Sequence, residues 1–290
     1  MNDAPDWKRE GAHWPNHEAS SFVRAAGLEW HVQRMGKGEP LLLLHGTGAS
    51  THSWAGLLPL LAEQYDVIAP DLPGHGFTSS RPSGMLSLPF VARAVSELAE
   101  QLEVTPRIIV GHSAGAAVAC RMVLDQRATP DRIVSLNGAL LPFPGMAQHL
   151  FPALAKLLFL NPLVPRFMAW QAGDQARVDR MLAGTGSTIS EAQRARYKAL
   201  LRHPRHVEAA LAMMANWDLD TLERDLPRLS VPLTMIAAAN DKFTPPAIAD
   251  RVARLVPDAE IRRVAGLGHL AHEEDPQALA EVIMESVVAI

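Results

Sequence analysis

The sequence predicts an α/β architecture: a mostly parallel doubly wound sheet with a helical cap insertion. Three observations predict it. Short aliphatic runs recur along the chain, stretches of helical spacing lie between them, and one long interval contains no strand-like run. Aliphatic runs without polar alternation are how parallel strands read, because helices cover both faces of such a sheet.

Taken in order, strands are expected at Leu41–Leu44, Val67–Ala69, Ile108–Val110, Ile133–Leu136, Leu233–Ala237 and Ile261–Val264. Helices are expected at Ser53–Glu63, Leu88–Leu102, Ala114–Arg127, Pro246–Leu255 and Pro276–Val288. Alternation of the two wraps helices on both faces of one sheet. From about Leu141 to Asp218 the rhythm stops, and Leu, Ala, Met and Pro dominate. The expected organisation is therefore an N-terminal arm (1–21), a core made of 22–140 and 218–290, and a helical cap (141–217). The arm, with Trp7 and Trp14 among polar neighbours, reads as a surface segment. In the cap, Phe151–Trp170 approaches the length of a membrane span, but Lys156, Asn161, Arg166 and prolines interrupt it, so no spanning helix is expected. Cap helices packed on the core are the first reading, and an apolar lid with peripheral membrane contact is the second.

With 290 residues, 48% of them hydrophobic, the chain can bury the core of one large domain with an insertion. The net charge of −4 comes from interspersed acids and bases, which excludes a nucleic-acid partner. Polar residues follow Met1 where a secretory signal would be apolar, so a cytoplasmic protein is expected. The single cysteine, Cys120, falls in an Ala-rich segment and reads as a buried small hydrophobe. No histidine and carboxylate cluster has metal-site spacing and no phosphate loop is present, so neither metal nor cofactor is expected.

Ile108–Val110 runs into Gly111-His112-Ser113-Ala114-Gly115, a G-x-S-x-G sequence between a buried strand and an Ala-rich helix. A turn this sharp imposes strained angles on Ser113 and demands small neighbours, which Gly111 and Gly115 provide. Ser113 is the expected nucleophile, and the N–H of Ala114 at the helix start is an expected oxyanion donor. A second donor is the N–H of Thr47 in the Gly-rich turn His45-Gly46-Thr47-Gly48, where His45 supports the loop. Twelve histidines compete as base. His269 is chosen because it lies in the Gly-flexed loop after the last strand, whereas His272 falls at a helix start and His112 points away from the hydroxyl beside it. The orienting acid is Asp241, directly after the strand Leu233–Ala237, since the loop after Ile133–Leu136 begins with the uncharged Asn137. Asp71-Leu72-Pro73-Gly74-His75-Gly76 reads as a structural turn beside the pocket.

HGTG, DLPGHG, GHSAG, the aspartate of AAAND and the histidine of GLGHLAHEE together resemble the α/β-hydrolase superfamily. A narrower resemblance runs through DWKREGAHWP, HGTGASTHSW, SLNGALLPF, NPLVPR and MMANWDL, which look like the magnesium-chelatase accessory proteins of bacteriochlorophyll biosynthesis. It spans nearly the whole chain, the cap included. It implies a role near magnesium insertion into protoporphyrin in a phototrophic bacterium, with magnesium chelatase subunits as partners.

The first functional reading is a serine hydrolase acting on an ester-like bond of a small apolar or tetrapyrrole-like substrate, under a cap carrying Phe143, Phe151, Phe159, Phe167 and Trp170. A non-catalytic porphyrin-binding or chelatase-binding module is the alternative. The same triad also serves carbon–carbon bond hydrolases and cofactor-free haloperoxidase-like enzymes. Haloalkane and epoxide hydrolases call for an aspartate where Ser113 stands.

Overall fold

The computed structural model describes residues 3–80, 86–142, 161 and 163–288. An eight-stranded sheet organises the chain in the order β1-β2-β4-β3-β5-β6-β7-β8. The strands are β1 Ser20–Ala25, β2 Leu28–Gly36, β3 Glu39–Leu44, β4 Tyr65–Pro70, β5 Ile108–His112, β6 Arg132–Leu136, β7 Leu233–Ala238 and β8 Ala259–Val264. From β4 through β3 to β8 every pairing is parallel, which puts the C-terminal ends of β3, β5, β6, β7 and β8 on one edge.

Strand periodicity builds the core on both faces. Leu42 and Leu44 join Ile109 and Ile133 on the side covered by the helices Leu88–Gln101 and Ala114–Leu124. Leu41 and Leu43 join Val67, Val110 and Val134 on the side covered by Leu57–Leu61 and Pro276–Val288. The doubly wound expectation holds for this reason: each aliphatic run feeds both faces in alternation. The helix Ala114–Leu124 is buried through Val123, and its alanines let it lie close to the sheet. Cys120 is one of its buried residues, as expected. Ser53–Glu63 is broken in two, a short turn of helix at Thr51–Trp54 and a helix at Leu57–Leu61.

Two features depart from the sequence reading. The first is the antiparallel hairpin of β1 and β2, joined by Ala26 (φ 54°) and Gly27 (φ 72°). Both central residues have positive φ, the geometry that matches strand twist in a two-residue hairpin. Its second strand, β2, buries His31 and Gln33, which breaks the apolar pattern. His31 donates from Nδ1 to Asp71 Oδ2 at 2.8 Å and Gln33 donates to the Pro15 carbonyl at 2.6 Å. The second is the segment read as a surface arm. Trp14 is buried and its indole N–H donates to Thr51 Oγ1 at 3.1 Å. Trp7 lies 4.7 Å from the His31 ring and 4.9 Å from the Phe77 ring. The segment packs on the core because its indoles carry apolar area that its polar neighbours do not cover.

Between β6 and β7 the described residues form helices at Leu163–Gln171, Gln175–Ala183, Glu191–Leu201, Pro204–Ala215 and Leu219–Asp225 and a short helical turn at Leu226–Arg228, with no strand among them. Phe143, Phe151 and Phe159 lie outside the described residues. No helix of the described residues is long and apolar enough to cross a membrane.

Candidate active site

Ser113 stands between β5 and the helix Ala114–Leu124 with φ 51° and ψ −116°, a backbone conformation that a side chain rarely adopts. Such strain costs about 1–3 kcal/mol and persists only where the surroundings over-determine it. Here the Ser113 N–H donates to the Leu136 carbonyl at 3.1 Å, and the Ser113 carbonyl accepts from Ala139 at 3.0 Å and Ala116 at 3.2 Å. A Cβ at Gly111 would fall on the Ala116 backbone and one at Gly115 on the Leu44 carbonyl oxygen. The turn thus closes only with glycine on both sides.

At the ends of β7 and β8, His269 Nδ1 donates to Asp241 Oδ2 at 2.8 Å, and both side chains are buried. The other carboxylate oxygen accepts the N–H groups of Phe243 and Thr244 at 2.7 Å each, which fixes the plane of the carboxylate. With Nδ1 committed, Nε2 is the nitrogen His269 offers to a neighbour. Ser113, His269 and Thr47 line one cavity. No hydrogen bond joins the Ser113 hydroxyl to His269 among those of the described residues.

His45 has structural partners, as the sequence suggested, and so does His112. His112 Nε2 donates to the His269 carbonyl at 2.9 Å. His45 Nδ1 donates to the Gly46 carbonyl at 2.8 Å and its Nε2 accepts the Leu72 N–H at 2.8 Å. Burial pushes the His45 imidazole down to about 4 and holds that of His112 well below its usual range, so both rings stay neutral. His272, in the short helix Ala271–Glu274, is buried beside the His112 ring at 4.5 Å. The DLPGHG turn is a structural hub: Asp71 accepts the N–H groups of Thr51 at 2.6 Å and Phe77 at 2.9 Å besides the His31 imidazole.

Asn137 is the residue whose part the sequence reading missed. In the sequence it reads only as an uncharged residue where a carboxylate could stand. Its φ is 46°, its amide nitrogen donates to the carbonyls of Gly268 at 3.1 Å and His269 at 3.0 Å, and its oxygen accepts the Ala238 N–H at 2.9 Å. Asn137 therefore ties the end of β6 to β7 and to the His269 loop. Position at the end of a buried strand, three residues after a β-branched run, was the available signal.

The Gly46–Gly48 loop lies against the turn, since a Cβ at Gly46 would sit 2.9 Å from His112 Nδ1 and 3.0 Å from Ser113 Cβ. Among the described residues, the N–H groups of Thr47 and Ala114 have no hydrogen-bond acceptor. The cavity they face encloses about 540 Å³. Its walls are largely apolar: Met168, Met181, Leu211, Met214, Trp217 and Phe243, with Tyr197 and Asp220 as polar members. Of the cap aromatics expected to line it, the two that are described, Phe167 and Trp170, do not. Phe167 and Trp170 are 55% and 69% exposed and stack on each other at 5.9 Å on the outer surface, because the buried face of their helix is taken by Pro165 and Ala169.

The sequence profile of the alpha/beta hydrolase family matches residues 41–282, which contain β4 to β8, the last four residues of β3 and the whole of this site. The chain belongs to the alpha/beta hydrolase family. Among relatives of this hydrolase-fold chain, the magnesium-chelatase 30 kDa subunit of Rhodobacter capsulatus is 40% identical over 281 residues, covering 94% of this chain and 96% of that one. Pyrrolizixenacetamide deacetylase of Xenorhabdus hominickii is 30% identical over 255 residues, 83% of this chain and 88% of that one. The crystal structure of an alpha/beta hydrolase fold protein from Burkholderia ambifaria superimposes with a TM-score of 0.78 at 19% identity, covering 92% of this chain and 97% of that one. That likeness is one of fold.

Proposed function

We propose that this protein is a serine hydrolase that cleaves an ester-like bond and serves as an accessory of magnesium chelatase in bacteriochlorophyll biosynthesis. The observation that carries the chemical half is the buried 2.8 Å bond from His269 to Asp241, on the same cavity as the strained Ser113. In this reading Ser113 Oγ attacks the carbonyl carbon while His269 Nε2 takes its proton, and Asp241 stabilises the resulting imidazolium. The N–H groups of Thr47 and Ala114 hold the oxyanion. Collapse of the tetrahedral intermediate expels the alcohol, which leaves with the proton from His269. Water, deprotonated by the same imidazole, then releases the acid and restores Ser113.

The likeness to the Rhodobacter capsulatus chelatase subunit, over 94% of this chain, supports the accessory half and chelatase subunits as partners. The cavity volume of about 540 Å³ and its methionine and aromatic walls suit an apolar substrate, of which a tetrapyrrole ester is one kind. Exposed Leu163, Phe167 and Trp170 on the cap support a peripheral membrane contact. A non-catalytic porphyrin carrier is the second reading, favoured by the relative's description as a chelatase subunit.

Wild type and Ser113→Ala are treated with a fluorophosphonate probe and weighed intact. Addition of one phosphonyl group to wild type alone supports the hydrolase. A wild type left unmodified while folded overturns it and leaves the carrier, which porphyrin titration then tests.

A further inference from the structure

The cap helix Pro204–Ala215 carries two functional stripes. Val207, Ala210, Leu211 and Met214, spaced as one helical face, line the cavity. His206 and Met213, two turns apart on the neighbouring stripe, are both fully buried and reach the loop that holds Thr47. His206 Nε2 donates to the Gly48 carbonyl at 3.0 Å, and its Nδ1 accepts the Gly76 N–H at 3.1 Å. Thr47 Oγ1 donates to Met213 Sδ at 3.0 Å. Because Nδ1 faces a donor and Nε2 an acceptor, the partners select a single neutral tautomer. Burial agrees with this, pushing the His206 imidazole down to about 3.

We propose that His206 is a positioning residue that locks the Gly46–Gly48 loop to the cap helix, so that the helix that packs against substrate also aims the Thr47 N–H at the oxyanion. This rests on the hydrolase reading above for its catalytic consequence, though the lock itself is a matter of geometry. Gly48 has φ +77° and, beyond its chain neighbours, no atom within 4 Å of the position a Cβ would take, so no packing restrains it in that direction. The other end of the lock is rigid: Gly76 is crowded by the Asp71 carboxylate, and a Cβ at Gly74 would lie 2.7 Å from Ala209 Cβ of the same cap helix. His206 thereby joins three segments: the oxyanion loop, the DLPGHG turn and the cap.

An oxyanion donor contributes to the transition state far more than to the bound ester, so misaiming it lowers kcat and leaves KM nearly unchanged. Wild type, Ser113→Ala, His206→Leu and His206→Gln are compared for kcat and KM on p-nitrophenyl butyrate, and for amide hydrogen exchange in the Gly46–Ala49 segment. Glutamine can donate to Gly48 and accept from Gly76, and leucine can do neither. For His206→Leu the lock predicts a fall in kcat of about tenfold, part of the roughly 100-fold that loss of a whole donor costs. KM stays within about twofold, exchange quickens, and His206→Gln restores both. His206→Met replaces the leucine form where that form does not fold. A leucine variant with wild-type kcat, or with unchanged exchange at Gly46–Ala49, overturns the proposal. If wild type and Ser113→Ala turn over alike, the hydrolase reading fails, and the exchange rates alone then decide whether the lock exists.

Discussion

His112 donates from Nε2 to the carbonyl oxygen of His269 at 2.9 Å, so the residue before Ser113 grips the backbone of the imidazole-bearing residue. Asn137 grips the same carbonyl at 3.0 Å. Loops from three strands are thus held together by two buried side chains.

Removing one of them has a defined cost. Asn137→Ala leaves the Ala238 N–H without its side-chain acceptor and deprives two carbonyls of a donor. A loss of about 2–3 kcal/mol is expected in urea unfolding, from buried groups left unsatisfied. Fluorophosphonate labelling slows as well, since the His269 loop is freed. Unchanged labelling and stability would show that Asn137 holds nothing.

Gly115→Ala places a methyl group against the Leu44 carbonyl oxygen. The oxygen belongs to backbone and the backbone also fixes the position of a Cβ, so neither can swing aside, and β3 must separate from the helix Ala114–Leu124. A destabilisation of about 3 kcal/mol is expected, at the upper end of overpacking costs. Thermal unfolding of the variant beside wild type measures it.

Stability should peak near neutral pH. Burial lowers the imidazoles of His52, His75, His206 and His272 to about 3 and that of His45 to about 4. Unfolded, each takes a proton near its ordinary value of about 6.5, so their contribution is present above that pH and lost as pH falls. Glu273 has the opposite sign. Burial pushes its carboxyl up to about 8, the Tyr197 hydroxyl bond at 2.6 Å works against this, and Glu274 adds to it. Its contribution is present below the ordinary carboxyl value and lost as pH rises through about 8. The expected Tm profile falls steeply on the acid side and gently between about pH 6.5 and 8. Glu273→Gln flattens the alkaline limb and leaves the acid limb in place; a limb that keeps its slope would reassign it to another group.

Cys120 should be silent to thiol reagents in the native protein. Burial pushes its thiol up to about 12, with Arg121 offsetting a part. Reaction with dithionitrobenzoate is expected only after denaturation, with one equivalent released. Rapid native labelling would mean that the helix Ala114–Leu124 opens.

The parallel strands were legible because their residues are apolar on both faces, as at Leu41–Leu44, and need no knowledge of their neighbours. Ser113 was legible because a strained turn demands glycine on both sides, and that demand is local. The β1 and β2 hairpin was not, since His31 and Gln33 look like surface residues until Asp71 and Pro15 arrive to pair with them. Trp7 and Trp14 were misjudged for a related reason: polar neighbours along the chain say nothing about Phe77 and Thr51 across it.

Sequence alone determined the six parallel strands, the order of the loops that follow them and the residue types at their ends, because strand periodicity and turn sterics act over a few consecutive residues. Tertiary structure alone decided which of those ends meet. The His269 bond to Asp241, the grip of Asn137 and the reach of His206 from the cap to Gly48 join residues far apart in the chain. Such pairings follow from closing the sheet and seating the cap on it, and a buried polar side chain finds its partner only once that closure has excluded water.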